Sequence, residues 1–181
     1  MSRTSMYEQV LGANYAVLDE PVQRFHRLSG EHELHGRVTT CQPESWLARV
    51  LCTALGTPQA SGEGPIRLEL LAEPRQEVWI RHFPSFRMAS SLRLEHGKVV
   101  ERLGAARLTF DLEAHGGKLS MRLKRLHFLA IPCPTWLMPQ VVAEETGDGD
   151  RFNFNVEARV PFIGRVAKYT GHLKLEPEEA A

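Results

Sequence analysis

The chain has few of the features that mark a specialised class of protein. It contains three cysteines, Cys41, Cys52 and Cys133, and their odd number and wide spacing do not form a disulfide framework. No apolar run approaches the roughly 20 residues that cross a bilayer. The N-terminal stretch MSRTSMYEQVLG has no apolar core of signal-peptide length. Together these absences predict a soluble, cytoplasmic protein with no transmembrane segment.

Neither sign of charge is in excess. The 22 Lys and Arg residues balance 22 Asp and Glu residues, so no broad cationic footprint for nucleic acid exists. The local cluster of Arg122, Lys124, Arg125 and His127 is typical of a solvated strand face. We therefore expect no nucleic-acid partner.

Motifs for metal, cofactor or nucleophilic chemistry are also missing. There is no G-x-G-x-x-G, C-x-x-C or helical H-x-x-x-H spacing, and the nearby His32 and His35 would point to opposite faces of a strand. We expect neither a metal site nor a cofactor. Cys133 lies between prolines with His127 six residues earlier; a buried structural cysteine is the simpler interpretation, and a nucleophile is the alternative. Glu144 and Glu145 would face opposite ways on a strand, which argues against a shared acid–base site.

Alternation of apolar and polar residues is the dominant pattern from Ile66 to Leu175. Such strands bury one face, so the pattern predicts a mainly β (α+β) fold, an antiparallel curled sheet or partly open β-barrel of about nine to ten strands. One to three N-terminal helices would cover or fill it. A helix-grip fold competes, but it normally ends in a long helix, and this chain ends in a strand. The predicted strands are 32–40, 66–73, 77–83, 87–95, 98–103, 106–114, 118–129, 140–146, 151–160 and 165–175.

A single domain over residues 1–181 fits this order of elements. Residues 1–30 read as helical, 31–175 form the barrel-like body, and 176–181 are an acidic tail. Within the body, 43–55 is the clearest helix, and its predicted apolar stripe is Trp46, Leu47, Val50, Leu51 and Ala54. Gly36 suggests a bulge in the first strand. His96-Gly97 and Gly116-Gly117 predict tight hairpin turns.

Four blocks of the chain resemble a known family: WIRHFPSFRMASSL (79–92), ERLGAARLTFDL (101–112), IPCPTWLMP (131–139) and YTGHL (169–173). The resemblance extends from residue 11 to residue 175. The family is a bacterial domain of unknown function, found alone and fused behind saccharopine-dehydrogenase-like oxidoreductases. It implies no activity of its own. The fusion suggests a saccharopine-dehydrogenase-like partner and small-molecule or lipid metabolism by association.

The strand 77–83 carries the best candidates for a binding site. Trp79, Arg81 and Phe83 share one face, and Val78, Ile80 and His82 share the other. An outward Arg81 with His82 as a wall residue is the simpler interpretation. An inward Arg81 would need a carboxylate such as Glu101, Glu144 or Glu145, or an anionic ligand.

Further candidates lie later in the chain. Strict alternation places Tyr169 inside and His172 outside, and the Tyr169 hydroxyl would either bond to the wall or face a cavity. In the proline-rich segment 130–139, Trp136, Leu137 and Met138 would either plug one barrel end or form an exposed apolar rim. The candidate ligand-binding residues are Trp79, Arg81, His82, Glu101, Trp136, Met138 and Tyr169.

Three functions follow from these patterns. The first is a binding protein that holds an apolar or amphipathic, lipid-like molecule, anionic if Arg81 anchors it. The second is an accessory domain that docks on a dehydrogenase-like partner, with a solid interior and an exposed apolar patch. The third is a cavity enzyme that uses His82 or Tyr169 as acid or base.

Overall fold

A closed antiparallel β-barrel forms the body of the protein. The computed structural model describes residues 4–175, and the predicted acidic tail at 176–181 lies outside this range. Ten strands close the barrel in the order β1–β2–β3–β4–β5–β6–β7–β9–β10–β11 and back to β1, and the short β8 pairs with β7 outside the ring. The strands are β1 Gly30–Cys41, β2 Gly62–Glu73, β3 Gln76–Phe83, β4 Phe86–Glu95, β5 Lys98–Leu103, β6 Ala106–His115, β7 Lys118–Phe128, β8 Ile131–Pro132, β9 Gln140–Asp148, β10 Arg151–Val160 and β11 Gly164–Lys174.

The predicted hairpin turns are confirmed. His96 and Gly97 both have positive φ, as do Gly116 and Gly117, which is the backbone of two-residue turns that match the twist of paired strands. The suggested bulge at Gly36 is wrong, because β1 keeps its register through Gly36 with both β2 and β11. Gly36 instead allows close approach of two backbones: a Cβ there would collide with the carbonyl oxygen of His172 on β11.

The N-terminal segment fills one end of the barrel, which we call the plugged end. It comprises α1 (Met6–Leu11), a 3₁₀ segment (Gly12–Val17) and α2 (Glu20–Arg27). Ser5 caps α1 in a reciprocal capping box with Glu8. Phe25 of α2 stacks on Phe152 of β10 at 3.9 Å between ring centroids, and Asp19 accepts a hydrogen bond from the backbone of Gly147. These contacts fix the helices inside the ends of β9 and β10.

The third helix, α3 (Trp46–Leu55), crosses the opposite end, which we call the mouth. Ser45 caps it and also donates a hydrogen bond to the carbonyl of Ile163, while Ala54 at its other end accepts one from the backbone of Ala105. The predicted apolar stripe is partly wrong. Ala48 and Cys52 are buried, whereas Trp46, Leu47 and Val50 are exposed, because the helix lies across the rim and presents a narrow face to the barrel.

No helix within residues 4–175 is both long enough and apolar enough to cross a bilayer.

Candidate functional site

The barrel encloses a cavity of about 290 Å³ between the plugged end and the mouth. This volume is near the lower limit for small-molecule pockets, which run from about 300 to 1,000 Å³. Its wall is mostly apolar and comes from inward positions of the strands, with α3 and the segment 133–139 at the mouth. Representative lining residues are Leu51, Leu68, Leu92, Phe110, Phe154 and Val156.

Three inward side chains of β3 form a column along the wall: Glu77, Trp79 and Arg81. The Trp79 indole N–H donates to the Glu77 carboxylate at 2.8 Å, and the Arg81 guanidinium lies over the Trp79 ring, 4.7 Å from its centroid. The column alternates with the outward Val78, Ile80 and His82 because successive strand residues face opposite ways. The interpretation with Arg81 on the solvent face is therefore wrong.

Arg81 has unusually few partners for an interior cation. Its Nη1 donates one hydrogen bond to the Ser90 hydroxyl at 3.1 Å, and no carboxylate among residues 4–175 forms an ion pair with it. The guanidinium can donate five hydrogen bonds in a fixed planar arrangement. Most of its donor capacity is therefore available to the cavity.

Two tyrosines and Glu101 complete the polar part of the wall. Tyr169 of β11 is buried, lines the cavity and forms no side-chain hydrogen bond within residues 4–175. The Tyr7 hydroxyl of α1 also has no partner among the described residues. Burial raises the pKa of both tyrosines. The charges of Glu77 and Glu145 raise the pKa of Tyr7 further, and Arg81 partly offsets the rise at Tyr169. Both hydroxyls therefore stay protonated at neutral pH and can donate hydrogen bonds.

A buried acidic cluster lies at the plugged end. His26 Nε2 is 2.6 Å from Glu145 Oε2, and the His26 ring contacts the Tyr7 ring in a tilted arrangement with centroids 3.6 Å apart. Burial raises the pKa of the nearby Glu77 to about 7, although His26 and the Trp79 hydrogen bond oppose this shift. Glu144, by contrast, pairs with Lys118 at 2.7 Å, so the two neighbouring glutamates have separate partners.

The structure separates the seven predicted site residues into two groups. Trp79, Arg81, Glu101 and Tyr169 line the cavity. His82 faces outward and pairs with Glu69 at 2.9 Å. Trp136 and Met138 do not line the cavity; Trp136 projects from the mouth, and its neighbour Leu137 reaches the interior instead. The core-plug interpretation of this segment is therefore wrong for Trp136.

Three residues of this region were missed from the sequence, Tyr7, His26 and Glu77. Glu145 was considered as a partner of Arg81, and the structure pairs it with His26 instead. Glu77 could have been found, because it lies two residues before Trp79 on the same strand and so faces the same side as Trp79 and Arg81. Tyr7 and His26 belong to helices, and no sequence pattern shows which barrel strand a helical side chain meets. Their roles depend on long-range packing.

Other chemistry has little support in the described residues. Cys133 lines the cavity near the mouth, but burial raises the pKa of its thiol, which disfavours the reactive thiolate. No group of three or more His, Cys, Asp or Glu side chains within residues 4–175 could hold a metal ion.

The fold and the site define a class: a closed antiparallel β-barrel with an apolar cavity and a polar patch on one wall. Residues 18–173 match the model of a domain of unknown function, DUF4166, so the chain belongs to that family. No curated protein matches the chain.

Two solved structures are similar to this chain at low identity. Rv2717c from M. tuberculosis is 11% identical, with 88% of this chain and 99% of that chain covered and a TM-score of 0.49. Secretory abundant heat soluble protein 4 from Ramazzottius varieornatus is 14% identical, with 82% and 94% covered and a TM-score of 0.39. Neither similarity is strong enough to bear on function.

Proposed function

We propose that this protein binds an amphipathic small molecule whose apolar part fills the barrel cavity and whose anionic group meets Arg81. The observation that carries the proposal is an arginine without a carboxylate partner on the wall of an apolar cavity. A charge removed from water is costly unless it is paired. A carboxylate or phosphate ligand would supply the missing partner and use the planar donor array of the guanidinium.

The neighbouring groups narrow the ligand chemistry. Tyr169 offers a protonated hydroxyl that can donate to the same anionic group. Glu101 lies on the same wall and would repel a simple anion, so it favours a ligand that also carries a hydroxyl or other donor. The best match is thus a lipid-like acid with a second polar group near the carboxylate.

Isothermal titration of matched ligands tests the anchor. Decanoate and decanol share an apolar chain and differ at the headgroup, so their affinity ratio measures recognition of the anion. Arg81→Leu is expected to lower that ratio at least tenfold, because a hydrogen bond to a charged group contributes about 1.5–3 kcal/mol. Glu101→Gln is expected to raise the decanoate-to-decanol affinity ratio several-fold, because it removes the repulsion between the Glu101 carboxylate and the ligand carboxylate.

The adjacent residue provides a matched control. His82→Gln alters the same strand on its outer face and is expected to leave both affinities unchanged. Arg81→Leu should fold at least as stably as the wild type, because it removes an unpaired interior charge. The anchor is refuted if the wild type does not prefer decanoate or if Arg81→Leu keeps the preference.

The other predicted functions have less support. The acid–base enzyme predicted from the sequence relies on His82 or Tyr169, but His82 faces outward and the raised pKa of Tyr169 makes it a poor base at neutral pH. An accessory domain of a saccharopine-dehydrogenase-like partner was expected to have a solid interior and an exposed apolar patch. The cavity weighs against it, whereas the exposed side chains of Trp136 and Phe162 agree with it. A bacterial source, cytoplasmic location and such a partner stay predictions.

A further inference from the structure

The mouth of the barrel carries a ring of exposed apolar side chains, which we call the mouth rim. Three segments supply it: α3, the connection between β7 and β9, and the turn between β10 and β11. Phe162 is 93% exposed, Trp46 73% and Trp136 67%. The full set is Trp46, Leu47, Val50, Leu129, Ile131, Trp136 and Phe162.

Hydrogen bonds to backbone carbonyls hold these segments around one opening. Ser45 bonds to Ile163, next to Phe162, and Ala105 links the carbonyl of Ala54 to the backbone of Leu129. Interior neighbours of the rim, including Leu51, Leu137 and Ile163, line the cavity. The apolar surface is therefore continuous from the outside of the rim into the cavity.

The turns of the rim also carry residues that suit their backbone conformation poorly. Four non-glycine residues in the described chain have positive φ, and three of them, Leu129, Ala130 and Phe162, lie at the mouth. Glycine or asparagine would adopt this conformation with less strain. Leu129 and Phe162 are both mostly exposed, so they gain little from burial in return. Strain and apolar exposure at the same positions indicate a role outside folding.

The charges around the rim are mostly positive. The connections 103–106, 129–139 and 161–164 contain no charged residue. Just behind them lie four exposed arginines that form no ion pair with a carboxylate among residues 4–175: Arg49, Arg87, Arg102 and Arg125. Glu44, the acidic residue beside α3, is neutralised by Arg159 and Arg165.

We propose that the mouth rim docks on the surface of a lipid bilayer that contains anionic lipids. Indole and phenyl side chains are favoured at the boundary between headgroups and acyl chains. The arginines behind the uncharged mouth rim form no ion pairs within the described part of the chain. They are suited to bind a diffuse negative surface rather than one fixed acidic residue of a partner. Docking would also place the cavity opening against the acyl region, so an apolar ligand could enter without crossing water.

Flotation with vesicles of defined composition tests the docking surface. Wild-type protein is expected to bind vesicles of phosphatidylcholine with 30% phosphatidylglycerol and to bind pure phosphatidylcholine much more weakly. The double variant Trp136→Ser/Phe162→Asn should lose at least tenfold in partition coefficient. Arg49→Gln/Arg87→Gln should lose roughly 25-fold on anionic vesicles, because each arginine near such a surface contributes about fivefold.

A control at the other end of the barrel separates docking from general stickiness. Leu71 is exposed near the plugged end of β2, and Leu71→Asn is expected to bind vesicles like the wild type. Phe162→Asn should melt no lower than the wild type, because it relieves a positive-φ position. Loss of vesicle binding in a variant that is equally stable therefore reports docking and not unfolding.

Two results would overturn the proposal. One is equal partition of the wild type, the rim variant and Leu71→Asn; the other is rim-dependent self-association in sedimentation velocity without vesicle binding. The assay uses no cavity ligand, and Arg81→Leu should still bind vesicles. Failure of the docking surface is thus distinguishable from failure of the ligand anchor.

Discussion

Glu77 is a carboxylic acid enclosed at the plugged end of the cavity, with the Trp79 indole N–H as its hydrogen-bond donor. Burial raises its pKa from 4.5 to about 7. In the folded state the group therefore keeps its proton over a pH range in which the unfolded chain has lost it. Its contribution to stability is fully present below about pH 4.5 and is lost as pH rises through 7.

Glu77→Gln is expected to remove this pH dependence. The amide oxygen can still accept the Trp79 hydrogen bond, but it carries no titrating proton. The variant should match the wild type near pH 4.5 and exceed its free energy of unfolding by about 3 kcal/mol at pH 8. Urea denaturation at both pH values measures the difference, and a constant offset between the two proteins would contradict the assignment.

The strand that carries Glu77 shows how far the sequence determines the site. Alternation predicts that Glu77, Trp79 and Arg81 share a face, but it does not choose which face is inside. The simpler interpretation put Arg81 in water because a lone interior charge is costly. The structure places it inside, and this departure from the rule is what marks the site. His26 and Glu145 lie 119 positions apart, and only the packing of α2 against β9 brings them together.

At the scale of elements, the meeting of β1 and β11 depends on two glycines. A Cβ on Gly171 would collide with the carbonyl oxygen of Arg37, just as one on Gly36 would meet His172. The two strands approach too closely here for side chains on these faces. Strand boundaries follow from local alternation and turn residues, so they were predicted within a few positions. The close approach of β1 and β11 was not predicted, because it depends on the curvature of the whole barrel.

Gly171→Ala is expected to destabilise the protein by about 1–3 kcal/mol, because backbone atoms of β1 must shift to admit the methyl group. Gly62→Ala is the matched control, since a Cβ there meets nothing within 4 Å and its φ is not positive. Free energies of unfolding from urea titrations compare the two. Equal stability of both variants would show that β1 can move away from β11 at little cost.

The helix α3 shows a second limit of sequence patterns. Its spacing of apolar residues predicts a buried stripe that includes Trp46 and Val50, yet both are exposed at the mouth. Periodicity identifies an apolar face, and it does not state whether the protein or an external surface covers that face. The helix boundary at Leu55 was predicted correctly because Gly56 adopts the left-handed conformation typical of a helix end.

For the molecule as a whole, the barrel wall has its fewest paired residues at the closure between β7 and β9. These strands share two register pairs, Leu119 with Glu145 and Ser120 with Glu144, whereas β1 and β2 share eleven. Closer to the mouth, β7 pairs with β8 from His127 onward, so 121–126 has no register pair on this side. Met121 and Leu126 of β7 line the cavity along this seam, as do Val141 and Ala143 of β9.

Hydrogen exchange is expected to be fastest along this seam among the strands of the barrel. Amides that lack a ladder partner exchange through small local openings, whereas the β1–β2 ladder opens only with larger parts of the fold. Peptides covering 121–126 and 140–143 should therefore exchange before those covering 31–40 and 63–72, measured by mass spectrometry. Half of the 121–126 amides face β6, so a fast and a slow fraction should be resolved in that peptide. Slower exchange at the seam than in the β1–β2 pair would mean that side-chain packing, rather than backbone pairing, closes the barrel.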